Sequence, residues 1–461
     1  MSDRRWIHSS PALLLALGVL ALAPLAYTLS LASLRRYTVQ FLAAYAVAFL
    51  LYAAATVVAL RMRTISRAAL AGVFILAVAM MALLVFNRPT LSDDMYRYVW
   101  DGRVQAAGVS PYRYPPAAQE LAELRDDAVW RYINRKTSFT IYPPAAQMAF
   151  AGLWRIVPDS VRWFQAAMAL SALLAGGLLL GLLRDLGRSP ARVVIYLWAP
   201  LLLFETAHGA HVDALVLPLL VGAWWARVRN KDALVGVLLG VATAVKLYPA
   251  MLLPALWRPA DRRGRWTMPA AFVVTVAACY APYVLRDGSQ VLGFLPVYFN
   301  QRFNLGLAAL LVPQLKALGV DPDLGILALT LATLAALGLW MILRPAPDGE
   351  TALRRSMWLM GAFTLLTQNL FSWYMLWVLP LAAIFVQPGR LLGLRADAWT
   401  GWWLFCGLVA LSYSIFITGR PQPWAAWAQY LPLYALLLAD AARRLRQRWP
   451  AVGERAREPA P

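Results

Sequence analysis

Two adjacent aspartates, Asp93 and Asp94, open the most polar stretch of an otherwise apolar chain and are its best candidates for a catalytic carboxylate. They begin the segment SDDMYRYVWDGRVQAAGVSPYRY, which occupies residues 92–114. The hydroxyl of Ser92 can accept backbone hydrogen bonds as an N-cap, so both acids should fall in the first turn of a short helix. Acids in a first turn also stabilise a helix through its dipole, so the two residues fit a structural as well as a catalytic role.

The helix predicted for this segment is amphipathic and should lie flat at a membrane surface, with Asp94, Arg97 and Asp101 on one face. Side chains at adjacent helical positions point about 100° apart, so only one of the two acids can face a given hydroxyl group. Asp94 shares its face with Arg97 and Asp101, which favours an ion-paired role, and Arg97 and Asp101 have the spacing of an ordinary i, i+4 ion pair. Because Asp93 also has Arg97 four residues further on, the sequence favours Asp93 as the base only slightly and leaves Asp94 open.

The rest of the chain has the composition of a polytopic membrane protein. Of its 461 residues, 61% are hydrophobic and 14% are charged, and the mean hydropathy is +0.57. Runs of about 20 apolar residues recur, and such runs are long enough to cross a bilayer. The net charge of +20 comes from arginines between these runs, which mark cytoplasmic loops, so it does not indicate nucleic-acid binding. Cys279 and Cys406 both fall in predicted spans, which excludes a disulfide framework.

The hydropathy and the arginine clusters predict an all-α fold of about twelve transmembrane helices with both termini cytoplasmic. Residues 145–157 and 232–257 are better explained as half-helices, the second broken by the sequence KLYP at 246–249. Whether residues 305–318 cross the membrane is left open. The predicted divisions are N-terminal transmembrane helices (1–86), a folded extracytoplasmic loop with interfacial helices and the acid pair (87–144), a transmembrane core (145–442) and a basic cytoplasmic tail (443–461).

This topology brings further polar and aromatic side chains to the outer ends of the spans. Ionisable groups at membrane depth are costly and usually functional, so their convergence is informative. Candidate ligands of a phosphate group are Lys246, Arg302 and Arg420. Candidate substrate-binding residues are Tyr96, Arg97, Asp101, Arg103, His208, His211, Asp213, Tyr248, Gln368, Asn369, Trp373 and Tyr374. Glu205, Asn300 and Asn304 lie on the same predicted side.

Each of these residues also fits a purely structural role. His208 and His211 are three residues apart, but no third ligand has a suitable spacing, so we predict no metal and no cofactor. One of the two histidines could instead make an interhelical hydrogen bond. Lys246 could reach the interface, although its place in a broken helix favours a buried anionic partner. Trp373 and Tyr374 fit either an interfacial aromatic belt or a face for a sugar ring.

The motif D-D-x-Y-R-Y-x-W-D-G-R, followed by G-x-S-P-Y and I-Y-P-P-A-A-Q, resembles the first extracytoplasmic loop of bacterial polytopic glycosyltransferases of the GT-C fold. Among these, the chain is most similar to glycosyltransferase family 87 and to the first mannosyltransferase of GPI-anchor synthesis. The later segments H-V-D, G-V-A-T-A-V-K-L-Y-P and W-Y-M-L-W-V-L-P-L are similar too. The resemblance therefore extends from about residue 91 to about residue 381, and the loop motif is its most specific part.

The resemblance implies a membrane enzyme that moves a hexose, often mannose, from a polyprenyl-phosphate donor to a glycolipid or envelope-glycan acceptor. An acid of the first outer loop, Asp93 or Asp94, would act as the base, with inversion at the anomeric carbon. The chemistry agrees, because such a transfer needs one carboxylate for the acceptor proton and cations for the departing phosphate. No nucleotide-sugar site is implied, and the chain has no glycine fingerprint for one. The implied location is the bacterial cytoplasmic membrane, with the active site facing the periplasm or exterior among membrane lipids.

A transporter or a flippase for lipid-linked sugars is the alternative, since broken helices and intramembrane charges are typical of that class as well. That class does not explain a long, folded loop with an acid pair, and the sequence shows no matching halves with repeated interruptions. A non-catalytic scaffold explains the acids no better. The sugar, the acceptor, the linkage and the carrier length depend on the shape of the pocket, and the sequence leaves them and the oligomeric state open.

Overall fold

The structure is a computed structural model and describes residues 3–259, 264–292, 302–304 and 306–448. In that part of the chain helices dominate, and extended structure is limited to strand β1 (Pro388–Leu391) and a few isolated bridges. The expected all-α fold of a polytopic membrane protein is confirmed. Asn300 and the tail from residue 449 onward lie outside the described residues.

The helices fall into a few long spans and many short pieces. Those of the N-terminal half are α1 (Asp3–Leu29), α2 (Thr38–Arg61), α3 (Arg67–Val85), α4 (Asp94–Ala106), α5 (Pro144–Ile156), α6 (Val161–Asp185), α7 (Val194–Leu197), α8 (Pro200–Leu203), α9 (Asp213–Val228), α10 (Asp232–Val245) and α11 (Leu253–Leu256). Those of the C-terminal half are α12 (Gly264–Asp287), α13 (Ala308–Ala317), α14 (Pro322–Leu343), α15 (Gly349–Leu366), α16 (Val378–Phe385), α17 (Ala398–Leu408), α18 (Ile415–Thr418) and α19 (Pro423–Arg448).

Seven helical segments of the described residues are long and apolar enough to cross a membrane. An eighth results if Pro190–Leu197 and Pro200–His208, which meet at an angle of 56°, form one bent span. Several other apolar helices are shorter, among them α10 and α13. These lengths confirm a polytopic protein, whereas the total of about twelve crossings stays a prediction.

The two segments predicted as half-helices are short helices in the structure. Helix α5 has 13 residues, and α10 ends after 14 residues at Val245, before the 3₁₀ turn Tyr248–Leu252. A helix of that length spans about 20 Å, less than the hydrocarbon core of about 30 Å. Neither helix can therefore cross a bilayer alone. The break after α10 places Lys246 inside the fold, where its side chain is 16% exposed.

Helix α4 packs against α5 through a close backbone contact at Gly102. A Cβ atom at this position would lie 2.7 Å from the carbonyl oxygen of Phe150, so the contact requires glycine. One position earlier, the buried carboxylate of Asp101 accepts hydrogen bonds from Thr140 Oγ1 at 2.6 Å and Gln147 Nε2 at 2.8 Å. These bonds join the D-G-R motif of α4 to the I-Y-P-P-A-A-Q motif at the start of α5. The two motifs are thus parts of one structural unit.

Arg103 ties the loop between α4 and α5 to α4. Its guanidinium donates to Leu124 O at 2.8 Å, to Asp126 Oδ2 at 2.5 Å and to Asp159 Oδ1 at 2.8 Å. Burial opposes the charge of Asp126, but the hydrogen bonds from Arg103 and from two backbone N–H groups outweigh it and lower the pKa of this carboxyl. With the loop in place, Met95–Val104 are all buried. Helix α4 is therefore covered on every side, which its one-sided amphipathic pattern did not predict.

Candidate active site

A cavity of about 410 Å³ lies where the start of α4, the end of α10 and the 3₁₀ segment Ser372–Trp377 meet. Its wall combines acids, bases and aromatic side chains. The site residues predicted from the sequence that line it are Asp93, Asp94, Arg97, Asp213, Lys246, Tyr248, Trp373 and Tyr374. The fold thus gathers the acid pair, the broken helix and the FSWY segment around one space, which is the candidate active site.

Asp94 is the first residue of α4, and its backbone N–H donates to Ser92 Oγ at 3.3 Å. The helix therefore begins one residue later than predicted, and Asp93 precedes it. Asp94 Oδ1 accepts a hydrogen bond from Asn134 Nδ2 at 2.6 Å, and Oδ2 lies 3.8 Å from Nδ1 of His211. Among the described residues, no lysine or arginine forms an ion pair with this carboxylate.

Asp93 forms an ion pair with Arg35, from the connection between α1 and α2, at 3.1 Å between Oδ2 and Nη2. In the described structure Asp93 does not form the expected ion pair with Arg97. Nε of Arg97 instead binds Oδ1 of Asp101 at 2.8 Å. That second pair was also expected, and it is confirmed. Arg35 also borders the cavity, with its guanidinium 4.8 Å from the ring centre of Phe416. One acid of the doublet is thus paired with an arginine, whereas the other pairs with no lysine or arginine in the described segments.

Lys246 follows the last residue of α10 in an extended conformation. Its Nζ lies 2.6 Å from Oδ2 of the buried Asp213 and 4.4 Å from the ring centre of Tyr374. The buried anionic partner expected for Lys246 is therefore present. Because Lys246 also borders the cavity, its ammonium group can contact a bound anion while it still neutralises Asp213.

His211 lies between two acids at the edge of this site. Its Nε2 is 3.3 Å from Oε2 of Glu205, and its Nδ1 faces Asp94. The imidazole stacks on Trp373, with 3.7 Å between the ring centres and 17° between the planes. In the described part of the chain, no group of three or more His, Cys, Asp and Glu side chains could hold a metal ion. Activity without a metal stays a prediction.

Aromatic side chains form one continuous part of the wall. Trp373 stacks on Phe371 with ring centres 4.4 Å apart, and Phe371 stacks on Phe303 at 4.9 Å. The hydroxyl oxygens of Tyr248 and Tyr374 lie 3.4 Å apart. Flat apolar faces next to hydroxyl groups suit a sugar ring, which has both apolar and polar surfaces.

Two tyrosines of the loop region complete the wall beside the acids. The hydroxyl of Tyr98 accepts a hydrogen bond from the backbone N–H of Val212 at 3.3 Å, and Tyr142 packs edge-on against the Tyr98 ring. Burial, and next the Asp94 carboxylate, raises the pKa of both phenols. The phenols therefore stay protonated at physiological pH and cannot serve as the base.

The remaining predicted site residues do not line the cavity. They are Tyr96, Asp101, Arg103, His208, His211, Arg302, Gln368, Asn369 and Arg420. Asp101 and Arg103 hold the loop, as described above. His208 Nε2 accepts a hydrogen bond from the backbone N–H of Thr90 at 3.2 Å and so fixes the chain just before the acids. The hydroxyl of Tyr96 accepts a hydrogen bond from an arginine side chain at 3.1 Å.

The C-terminal members of that group lie elsewhere. Arg302 binds Asp323 at 2.6 Å, and the backbone carbonyl of Asp323 accepts a hydrogen bond from Gln368 at 2.5 Å. Asn369 is buried beside Gln368, and Arg420 is exposed. Of the three predicted phosphate ligands, Lys246 alone lines the cavity in the described part of the structure.

Three charged or amide side chains of the wall escaped the sequence reasoning. Arg35 lies in the short connection after α1, and the predicted topology places that connection on the same side as the acid-bearing loop. Assigning each basic residue to one side of the membrane would have identified Arg35. Asn134 and Arg135 lie in irregular loop structure, where no periodicity points to them. Arg135 has a left-handed backbone (φ 47°), is exposed and forms no ion pair with a described residue.

Comparison with known proteins extends these observations. Residues 11–259, more than half of the chain, match the family described as alpha-(1->6)-mannopyranosyltransferase, N-terminal domain. GPI mannosyltransferase 1 of Aspergillus fumigatus is 29% identical over 147 residues, which cover 29% of this chain and 34% of that protein. GPI mannosyltransferase 1 of Gibberella zeae is 32% identical over 125 residues, which cover 26% of this chain and 29% of that protein.

The chain thus spans about a third of the length of the curated relatives that it matches. No solved structure matches. The family match includes the acid doublet, His211, Asp213 and Lys246, which lie together on or beside the cavity. The resemblance seen in the sequence motifs is confirmed, and the chain belongs to the alpha-(1->6)-mannopyranosyltransferase family.

Proposed function

We propose that this protein is a membrane mannosyltransferase that moves a mannosyl group from a polyprenyl-phosphate donor to an acceptor hydroxyl, with inversion. The observation that carries the proposal is the cavity, whose wall holds a carboxylate that pairs with no described lysine or arginine, several basic side chains and a row of aromatic rings. Membership of a mannopyranosyltransferase family supports the sugar, and the two GPI mannosyltransferases support a lipid-linked context.

Asp94 is the base in this proposal. A carboxylate oxygen that already binds a guanidinium is not open to take the proton of a substrate hydroxyl. Asp93 is paired in this way with Arg35, whereas Asp94 accepts a hydrogen bond from the neutral amide of Asn134. Asp94 also stands at the first position of α4, so its backbone is fixed by the helix. The contacts therefore favour Asp94, although the sequence pattern leans slightly to Asp93.

The leaving phosphate is bound by Lys246, together with Arg35 and Arg135. All three border the cavity, and Lys246 and Arg35 each have one carboxylate partner already. Arg135 forms no ion pair with a described residue, so its whole charge is available to an anion. Hydrogen bonds and charges aimed at a developing negative charge are the largest source of catalysis in many enzymes.

The transfer step follows from this arrangement. The acceptor hydroxyl gives its proton to a carboxylate oxygen of Asp94 as its oxygen attacks the anomeric carbon. The bond between that carbon and the phosphate oxygen breaks on the opposite face, and the electron pair leaves with the polyprenyl phosphate. The basic side chains stabilise the phosphate, and the rings of Trp373 and Phe371 hold the sugar. One inversion results, and the atoms balance without a further reactant.

The cavity faces the outer side of the membrane in this proposal, because the arginine clusters at 61–67, 184–192 and 258–265 mark the opposite side as cytoplasmic. The membrane is the bacterial cytoplasmic membrane, and the acceptor is a glycolipid or an envelope glycan. A lipid-linked donor explains why such a cavity belongs to a membrane protein, since a carrier chain can then stay in the bilayer. The apolar side chains of Phe303, Ile415 and Phe416 on the wall suit such a chain.

The test is transfer of radiolabelled mannose from polyprenyl-phosphate mannose in membranes that contain the protein, compared with membranes that contain D94N. We expect labelled product with the wild type and a loss of about 10²–10⁴-fold with the variant. GDP-mannose, given without the carrier lipid, should yield no product. Movement of the labelled lipid across the bilayer without any product would contradict a transferase and support a flippase.

A further inference from the structure

Glu205 is a buried acid for which neither the fold nor the transfer step has an evident need. Its side chain is 2% exposed. The hydroxyl of Tyr413 donates to its carboxylate and lies 2.9 Å from Oε1 and 3.1 Å from Oε2. Tyr413 in turn accepts a hydrogen bond from Ser372 at 3.2 Å. Burying a carboxylate is costly, and within membrane proteins such residues usually have a function.

The backbone around Glu205 is irregular in a way that aims this acid at His211. Residues Phe204–His208 form a π-helical turn, and Ala210 has a left-handed backbone with φ 51°. The backbone N–H of His211 donates to the carbonyl of Glu205 at 2.9 Å. π-Helical turns and strained backbones occur often at functional sites, where they redirect a side chain. Here they bring an acid and an imidazole that are six residues apart into contact.

His211 connects this acid to the proposed base. Its Nε2 is 3.3 Å from Glu205 Oε2, and its Nδ1 is 3.8 Å from Asp94 Oδ2. The ring is held by its stack on Trp373 and is 1% exposed. Neither nitrogen makes a hydrogen bond of good geometry within the described part of the chain. Buried polar atoms without a partner call for a functional explanation, and catalytic hydrogen bonds are often long before the substrate binds.

We propose that Glu205, acting through His211, is the positioning residue that orients Asp94 toward the acceptor hydroxyl. Glu205, His211 and Asp94 thus form a row of acid, imidazole and acid. The hydroxyl of Tyr413 holds Glu205 at the end of the row away from Asp94. The inference builds on the proposed mannosyl transfer, in which Asp94 is the base. A plain structural role for the buried Glu205–His211 contact is the alternative, and it predicts a different response to mutation.

The first experiment measures kcat and the donor KM in purified, detergent-solubilised protein, with labelled polyprenyl-phosphate mannose as the probe. E205Q and H211Q should each lower kcat by about 10–100-fold, the loss typical of removing a partner that orients a reacting group. The donor KM should stay within about twofold, because Glu205 does not line the cavity. Y413F, which removes the hydroxyl bound to Glu205, should give a smaller loss of kcat, and E205D should recover part of the E205Q loss.

A double-mutant cycle separates positioning from structure. If Glu205 acts only through Asp94, then E205Q should lower the residual rate of D94N by less than about twofold. Losses that multiply in E205Q/D94N would overturn the proposal, as would an E205Q enzyme with wild-type kcat. If E205Q does not fold, Y413F decides: an unchanged kcat in folded Y413F would count against the proposal.

The matched control is D232N, since Asp232 is also a buried acid but is paired with Arg258 at the far end of α10. At 1.5 Å per residue, that end is about 20 Å from Lys246. D232N should leave kcat per folded enzyme unchanged, and a loss equal to that of E205Q would mean that burial alone explains the effect. A wild type that transfers no mannose would refute the proposed function itself, before any variant is compared.

Discussion

The most specific prediction concerns the two neighbouring acids, Asp93 and Asp94, each replaced by asparagine. This replacement exchanges one carboxylate oxygen for an amide group. D94N keeps the shape and the hydrogen bond to Asn134 but removes the proton acceptor. The rate should therefore fall by about 10²–10⁴-fold, the usual share of general-base catalysis. Donor binding should persist, because the phosphate ligands and the aromatic wall are unchanged.

D93N should do much less, and the structure gives the magnitude. The lost contact is the ion pair with Arg35, in which the two side chains are 35% and 39% exposed. Solvent screens such a pair, so its loss costs about 0–1 kcal/mol. Since about 1.4 kcal/mol corresponds to a factor of ten, the rate should fall by less than about fivefold. The two variants should therefore differ by a factor of about 20 or more.

The assay is single-turnover transfer of labelled mannose by each variant at equal amounts of folded protein. D127N serves as the control, because Asp127 is an exposed acid of the same loop that does not line the cavity. A loss of more than about 100-fold in D93N together with near-normal turnover in D94N would refute the assignment of the base. Near-normal turnover in both would refute a catalytic role for the doublet.

Three further predictions follow from topology, metal chemistry and charge. A cysteine at Gln119 should react with an impermeant thiol reagent in intact cells, and labelling only after permeabilisation would invert the topology. Transfer should survive EDTA, and a loss that magnesium or manganese restores would mean that the acids hold a metal. The lowered pKa of Asp126 implies stability that is present above the ordinary carboxyl pKa of about 4 and is lost as the pH falls below it. Hydrogen exchange of residues 119–132 should thus rise at acid pH in the wild type, whereas D126N should exchange fast already at neutral pH.

The long helices were predictable because apolar length and flanking arginines fix them independently of the rest of the fold. Thr38–Arg61 and Arg67–Val85 are examples, since each is a long apolar run with an arginine at one end. The break at Lys246 was predictable for a similar local reason, since the proline at 249 cannot continue a helix. Such features depend on neighbouring residues, and these are all that a single sequence shows directly.

The partners of the charged residues were not predictable, because sequence spacing allows several of them. Arg97 lies four residues from both Asp93 and Asp101, and spacing alone cannot choose between them. The fold makes the choice, since Thr140 and Gln147 donate to Asp101 and complete a buried network there. The contact that neutralises Asp93 comes from a residue 58 positions earlier in the chain.

That choice explains why two adjacent acids can have different roles. With Arg97 engaged by Asp101, Asp93 is free to bind Arg35 and hold it at the cavity wall. Asp94, the first residue of α4, instead contacts Asn134 and lies near His211. A single acid could not both hold Arg35 and present the same oxygen to an acceptor hydroxyl, because that oxygen is already bound to the guanidinium. The doublet separates the two tasks, and this is why D93N and D94N should differ.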